Sequence, residues 1–198
     1  MKALVSAVLT LAGAVAVADD LVVLQDGAPA AGYVGLIGDK ARWDTPVGAA
    51  PVTSDSGHLS MTVDNNEGLV QGAWNGKGEA QYFLAASEPQ DLSGMLDQDA
   101  ALVLVARVDE PPNKAVVLKM GCVYPCESST DITRLLEALP GQQWIRVSFD
   151  LRCFADNGLD VTNVDVPLLV STRGALGLSI ADVRLVPGAG KDAIIRCR

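Results

Sequence analysis

From residue 144 to residue 151 apolar and polar side chains alternate without a break. Ile145, Val147, Phe149 and Leu151 fall on one side, and Trp144, Arg146, Ser148 and Asp150 on the other. A period of two marks a strand with one buried face, whereas a helix would scatter the apolar set around its circumference. Pro140-Gly141 turns the chain before this strand, and the rest of the sheet is expected to be built around it. Shorter strand-like runs occupy residues 21–24, 33–37, 58–63, 69–74, 80–84, 115–120, 167–171, 176–180 and 183–186. Residues 100–108 are apolar almost throughout, as in a central strand, and Pro111-Pro112-Asn113 is expected to join them to 115–120 as a hairpin. Only residues 131–139 read as a helix, with Ile132, Leu135, Leu136 and Leu139 on one face and Thr130 or Asp131 as cap; 91–99 has room for a single further turn. Residues 40–46, which carry Trp43, and 48–57 and 154–160 read as loops. Many short strands punctuated by turns predict an all-β sandwich or barrel with one short helix.

The first 18 residues stand apart from this pattern. A basic start, Met1-Lys2, precedes an apolar run over 3–17 and a small-x-small site, Ala16-Val17-Ala18, which together predict a secretory signal peptide cut before Asp19. The product is expected in the periplasm or secreted, with no membrane span after cleavage. The remaining 180 residues suit one domain, expected as a sandwich over 19–187 and a C-terminal tail over 188–198. Without Lys2 the chain carries 14 basic and 24 acidic residues, a net charge of −10, which argues against nucleic acid as a partner. In an oxidising compartment the four cysteines default to disulfides. Of three possible pairings, Cys122–Cys126 closes a tight loop around Tyr124-Pro125, and Cys153–Cys197 ties the tail to the sheet; this is the favoured set. A zinc site is disfavoured, because Cys-x3-Cys has no second pair and no useful histidine.

No catalytic constellation stands out. Asp150 and Asp109, at strand ends, are the least arbitrary carboxylate pair for glycoside hydrolysis, which needs two such groups roughly 5 to 9.5 Å apart. His58 is the sole histidine, and no Gly-x-Ser-x-Gly elbow accompanies it, so it reads as a surface strand residue. Gly188-Ala-Gly-Lys191 lacks the spacing of a phosphate loop and reads as a flexible tail.

From residue 120 onward the motifs become specific: Met120-Gly-Cys-Val-Tyr-Pro-Cys126, Asp131-Ile-Thr133, Leu139-Pro140, Gln143-Trp144, Leu151-x-Cys153-Phe154, Asp165-x-Pro167-Leu168 and 181–185. Upstream, Trp74-Asn-Gly76 and 101–109 agree with them. The chain resembles the ExoP-type galactose-binding-like domain, the C-terminal module of bacterial family 3 glycoside hydrolases and exo-glucanases, over about residues 21–187. The resemblance implies a jelly-roll β-sandwich akin to carbohydrate-binding modules. The catalytic barrel of those enzymes has no counterpart in this sequence, so their hydrolase activity does not carry over; the expectation is a non-catalytic module for a glucan or other polysaccharide. The alternatives are a structural or protein-interaction sandwich without a sugar site and, behind it, a glycoside hydrolase. A separate glycoside hydrolase or an envelope protein is the expected protein partner. Sugar rings stack on aromatic faces while polar groups read hydroxyls, which nominates Trp43 with Arg42 and Asp44, then Trp74 with Asn75, and Tyr124, beside Tyr33 and Tyr82. No cofactor is expected other than a structural calcium, which modules of this type often hold, here at Asp182 and Asp26.

Overall fold

The computed structural model describes residues 19–139 and 141–196. The leader expected over 1–18, the turn residue Pro140 and the cysteine partner Cys197 lie outside the described residues. Two antiparallel sheets pack face to face. The first has the order β12 (Ile145–Asp150), β9 (Ala101–Glu110), β14 (Ala175–Val186), β7 (Leu69–Asn75), β6 (Leu59–Asp64) and β5 (Val52–Thr53); β1 (Leu21–Gln25) pairs with the C-terminal half of β14, and β2 (Ala28–Pro29) with β1. The second has the order β11 (Glu127–Asp131), β10 (Val116–Gly121), β13 (Val166–Thr172), β8 (Ala80–Ala86), β3 (Tyr33–Asp39) and β4 (Thr45–Pro46). Helices α1 (Ser93–Asp97), α2 (Thr133–Ala138) and α3 (Leu151–Asp156) lie at the connections.

Alternation along the strands sets the core. Val147 and Phe149 of β12 share one buried cluster with Leu102 and Leu104 of β9, Leu118 and Met120 of β10, and Leu168 and Val170 of β13. Burying a side chain such as Phe149, 2% exposed, contributes about 1.5–3 kcal/mol. α2 closes one end by burying Leu136 beside Ile132, and the Asp131 carboxylate accepts the Thr133 N–H at 2.8 Å at the helix entry.

Several expectations are corrected. β12 is an edge strand rather than the centre of its sheet; β9 and β14 are central. The unbroken apolar run of β9 has a local cause: Ala101 and Val103, on the face away from the sandwich core, are covered by Ala193, with Val186 and Ala189 packed alongside. Residues 188–196 are therefore a packed segment and not a loose tail. The Ile194 N–H donates to the Ser148 carbonyl, and the Asp150 N–H to the Ile195 carbonyl, both at 3.0 Å. Pro111-Pro112 does not form a hairpin; it carries the chain from β9 in the first sheet to β10 in the second, and neither proline has an N–H to give a ladder. Among the described residues there are three short α-helices: α2 is the expected helix, α1 is the turn allowed for in 91–99, and α3 is unexpected. In α3 Asp150 ends β12 and accepts the Arg152 N–H at 2.9 Å, which turns Leu151, Cys153 and Phe154 into a buried helical face.

Candidate functional site: a groove across the second sheet

The outer face of the second sheet is open. Leu36, Phe83, Leu169 and Lys119 are paired in register across β3, β8, β13 and β10, so they form one half-buried row perpendicular to the strands. Around Phe83, Leu169 and Lys119 lies a groove of about 610 Å³ whose walls include Trp43 and Tyr124. Its volume is within the usual range for clefts that take small molecules. A second void, about 20 Å³ beneath α2, is lined by apolar residues alone and is a packing gap.

Trp43 reaches the groove from the loop between β3 and β4. Gly38 permits this: a Cβ there would stand 2.6 Å from the Trp43 Cα, so any side chain would push the loop off the sheet. Asp39 fixes the loop from inside. It is fully buried, and its carboxylate accepts the Ala41 N–H at 2.9 Å, the Ser56 N–H at 2.7 Å and the Ser56 hydroxyl at 3.1 Å. Burial alone would raise its pKa, but hydrogen bonds from Ala41, Ser54 and Ser56 outweigh that and lower it to about 2. One carboxylate thus ties the Trp43 loop to residues 54–57. Trp43 itself remains 46% exposed. Its neighbours Arg42 and Asp44 form an exposed ion pair at 2.9 Å, and the guanidinium holds the Asp44 carboxyl below its usual range.

The other end of the groove is the loop 122–126. Cys122 and Cys126 form the expected disulfide, and Tyr124 at its tip is 95% exposed. The polar groups between the ends are Gln81, Asp165 and the Lys119–Glu127 ion pair, 2.7 Å.

Of the residues nominated from sequence, Trp43 and Tyr124 come together at this groove. Trp74 does not, and its nomination is corrected: it is 3% exposed in the core, where its indole N–H donates to the Ala80 carbonyl at 3.0 Å. The alternation of Val70, Gly72 and Trp74 against Gln71, Ala73 and Asn75 carried that information. Asn75 shapes a turn, donating to the Gly57 carbonyl and accepting the Lys77 N–H. Tyr82 is buried, which raises its pKa, and Tyr33 is half-buried. Phe83, Leu169, Lys119, Glu127, Asp165 and the anchor Asp39 escaped sequence reading. The one signal for Phe83 was an apolar residue out of phase with the buried Ala80, Tyr82 and Leu84, on the same face as Gln81.

The carboxylates nominated for other chemistry are committed elsewhere. Asp150 lies opposite Ala101, and Asp109 is eight residues further along β9, about 27 Å away by strand rise, too far for a glycosidase pair. Asp109 also accepts from Arg107 at 2.6 Å and Ser179 at 2.6 Å. Both oxygens of Asp182 face Arg184, whose pKa they raise, and Asp20 pairs with the same guanidinium at 3.3 Å. Asp26 occupies the turn at the end of β1 with a left-handed φ of 50°. These residues do not fit a calcium site, and the described residues contain no group of three or more His, Cys, Asp or Glu side chains placed to hold a metal. His58 is half-buried and lines a separate hollow with Lys40, Lys77 and Arg173.

An antiparallel β-sandwich with an open groove across one sheet face is the architecture of galactose-binding-like and carbohydrate-binding-module-like domains. The sequence bears this out: the chain belongs to the Exop_C family, galactose-binding domain-like, which it matches over residues 33–185. No curated protein matches it. Among solved structures it is similar to the extra C-terminal domain of the exo-1,3/1,4-β-glucanase ExoP from a Pseudoalteromonas species, with TM-score 0.71, 21% identity, and 90% of this chain and 99% of that domain covered. Against the glucanase as a whole the TM-score is 0.71 and the identity 20%, over 86% of this chain but 21% of the enzyme. The family 30 carbohydrate-binding module of a cellulosomal cellulase of Clostridium thermocellum follows at TM-score 0.59 and 16% identity, covering 86% of this chain and 98% of the module. These likenesses establish the fold.

Proposed function

We propose that the protein is an exported, non-catalytic carbohydrate-binding module that holds a segment of polysaccharide, a glucan being the first candidate, in the groove between Trp43 and Tyr124. The observation that carries this reading is the open face itself. Phe83 and Leu169 give an apolar floor, exposed aromatics stand at both ends, and the polar groups lie between them. β10, β13, β8 and β3 separate the two aromatic ends, so three strand spacings give a separation of about 14 Å across the sheet, to which an offset along the strands adds. That span suits a chain of sugars lying across the strands better than a single ring. The groove's own cation and one of its acids, Lys119 and Glu127, neutralise each other, which favours an uncharged glycan.

The similar folds support this reading, as does their occurrence as modules beside catalytic domains in the glucanase and the cellulase. A separate glycoside hydrolase or an envelope protein is the partner such a module would serve. Export to the periplasm or beyond rests on the leader pattern and is tested by cell fractionation with N-terminal sequencing, which should find Asp19 as the first residue. For binding, the protein is titrated against soluble β- and α-glucans while tryptophan fluorescence is followed. A saturable shift with one glucan, lost in Trp43→Ala, is the expected result. An intact fold with no shift across the panel would overturn it and favour a protein-binding sandwich.

A further inference from the structure

We infer that the Cys122–Cys126 bridge and the Asp165 carboxylate are positioning elements that hold Tyr124 ready in the groove, so that glycan affinity depends on this loop being locked. The inference rests on the reading above. Tyr124 is 95% exposed, and no packing of its own ring could fix it. Its backbone is held from three directions instead. The disulfide brings the Cα atoms of Cys122 and Cys126 to 4.9 Å, and the Cys122 N–H donates to the Cys126 carbonyl at 2.9 Å. From β13's side of the sheet, Oδ1 of Asp165 accepts the Val123 N–H at 3.0 Å, across 42 residues of sequence. From beyond α3, the Asp160 N–H donates to the Cys122 sulfur at 3.3 Å.

Val123 shows that the loop is over-determined. Its φ is +59°, in the left-handed region that a β-branched residue rarely adopts, and such a conformation persists only where the surroundings enforce it. Backbone of this kind concentrates at ligand clamps. Val123 is itself 48% exposed, so core packing does not require it to be there. Gly121 leaves the space in which Asp165 works: a Cβ at Gly121 would lie 3.3 Å from Oδ1. Asp165 also lines the groove, so with Oδ1 engaged by the loop its other oxygen can accept from a sugar hydroxyl. The lock lowers the ordering cost of binding by fixing before the encounter what an open loop would have to fix during it.

The test compares glucan affinity and thermal stability across a short series. Cys122→Ser/Cys126→Ser is expected to weaken binding by roughly five- to tenfold, the scale of ordering one loop side chain or more. Tyr124→Ala should show a similar loss, and the two changes combined should cost little more than either alone, because the bridge acts through the tyrosine. Asp165→Ala should weaken binding, while Asp165→Asn, which keeps an Oδ1 acceptor for the Val123 N–H but turns the other oxygen into a donor, should recover the slow exchange at Val123 and the part of the affinity that the loop contact supplies. Additive losses, or wild-type affinity in a folded bridge-less protein, overturn the inference. Amide exchange at Val123 and Tyr124 gives a readout free of any ligand. If the exchange is equally slow with and without the bridge, the lock is refuted even where no glucan binds; absence of binding by the unmodified protein sinks the glycan reading instead.

Discussion

The two outer faces of the sandwich present their aromatic residues in opposite ways. On the first sheet Asp109 gathers Arg107, Ser179 and Gln71 around one carboxylate, and the Arg107 guanidinium lies over the Trp144 ring, 5.0 Å from its centroid. Those groups are satisfied by each other, and the neighbouring stretch of β9 is covered by the C-terminal segment. On the second sheet Phe83 and Leu169 stay half-open to the groove, and the aromatics at the groove's ends project from loops. Exposure alone does not separate the faces, since Trp144 at 41% and Trp43 at 46% are nearly equal. What separates them is the aromatic face itself: the Arg107 guanidinium covers the Trp144 ring, whereas Trp43 lines the groove.

The largest expected effect would break both faces at once. Trp74→Ala removes a buried indole and should destabilise the fold by about 3–5 kcal/mol in chemical denaturation. Asp39→Ala strikes only the open face. It strands the N–H groups of Ala41 and Ser56 and should cost about 2–3 kcal/mol, together with loss of glucan binding through the freed Trp43 loop. The same group sets an acid limb. Its folded pKa is depressed to about 2 from an unfolded value near 3.8, so its contribution, about 2 kcal/mol, is complete above the unfolded value and is lost as pH falls through about 2. Acid titration of wild type and Asp39→Asn should therefore converge toward pH 2. Trp43→Ala should leave stability unchanged within about 0.5 kcal/mol and weaken binding at least about tenfold by calorimetry. Trp144→Ala, the control on the closed face, should cost about 0.5–1 kcal/mol of stability and no affinity. The smallest expected effect is that of calcium: with Asp182 held by Arg184, chelation should shift neither melting temperature nor glucan affinity, and a clear shift in either would reopen a site near Asp26.

Strand patterning carried most of the fold, because a one-face-buried strand writes its geometry into every second residue. The alternation of 144–151 correctly placed Val147 and Phe149 inside. It then ran on past Asp150, where a cap that only a local hydrogen bond reveals had already begun a helix. Strand order is not written in that periodicity, which is why β12 could be taken for a centre and β9 and β10 for a hairpin. The site was half legible. Trp43 and Tyr124 stood out as aromatics in polar or disulfide-closed loops. Phe83 and Leu169 did not, because an apolar side chain on an open sheet face is indistinguishable in sequence from one in the core. Asp39 looked like one of 24 acids until its three donors were in place.

The hydrogen bonds between the segment 193–196 and β12 have a consequence for how the protein behaves in concentrated solution. β12 ends its sheet, and a bare terminal strand offers a row of unpaired N–H and C=O groups onto which another chain can add. Ile194 and Ile195 occupy the C-terminal part of that row through Ser148 and Asp150. A protein trimmed at Gly188 would keep its groove but present a sticky border, and would be expected to self-associate and precipitate where the full chain stays dispersed.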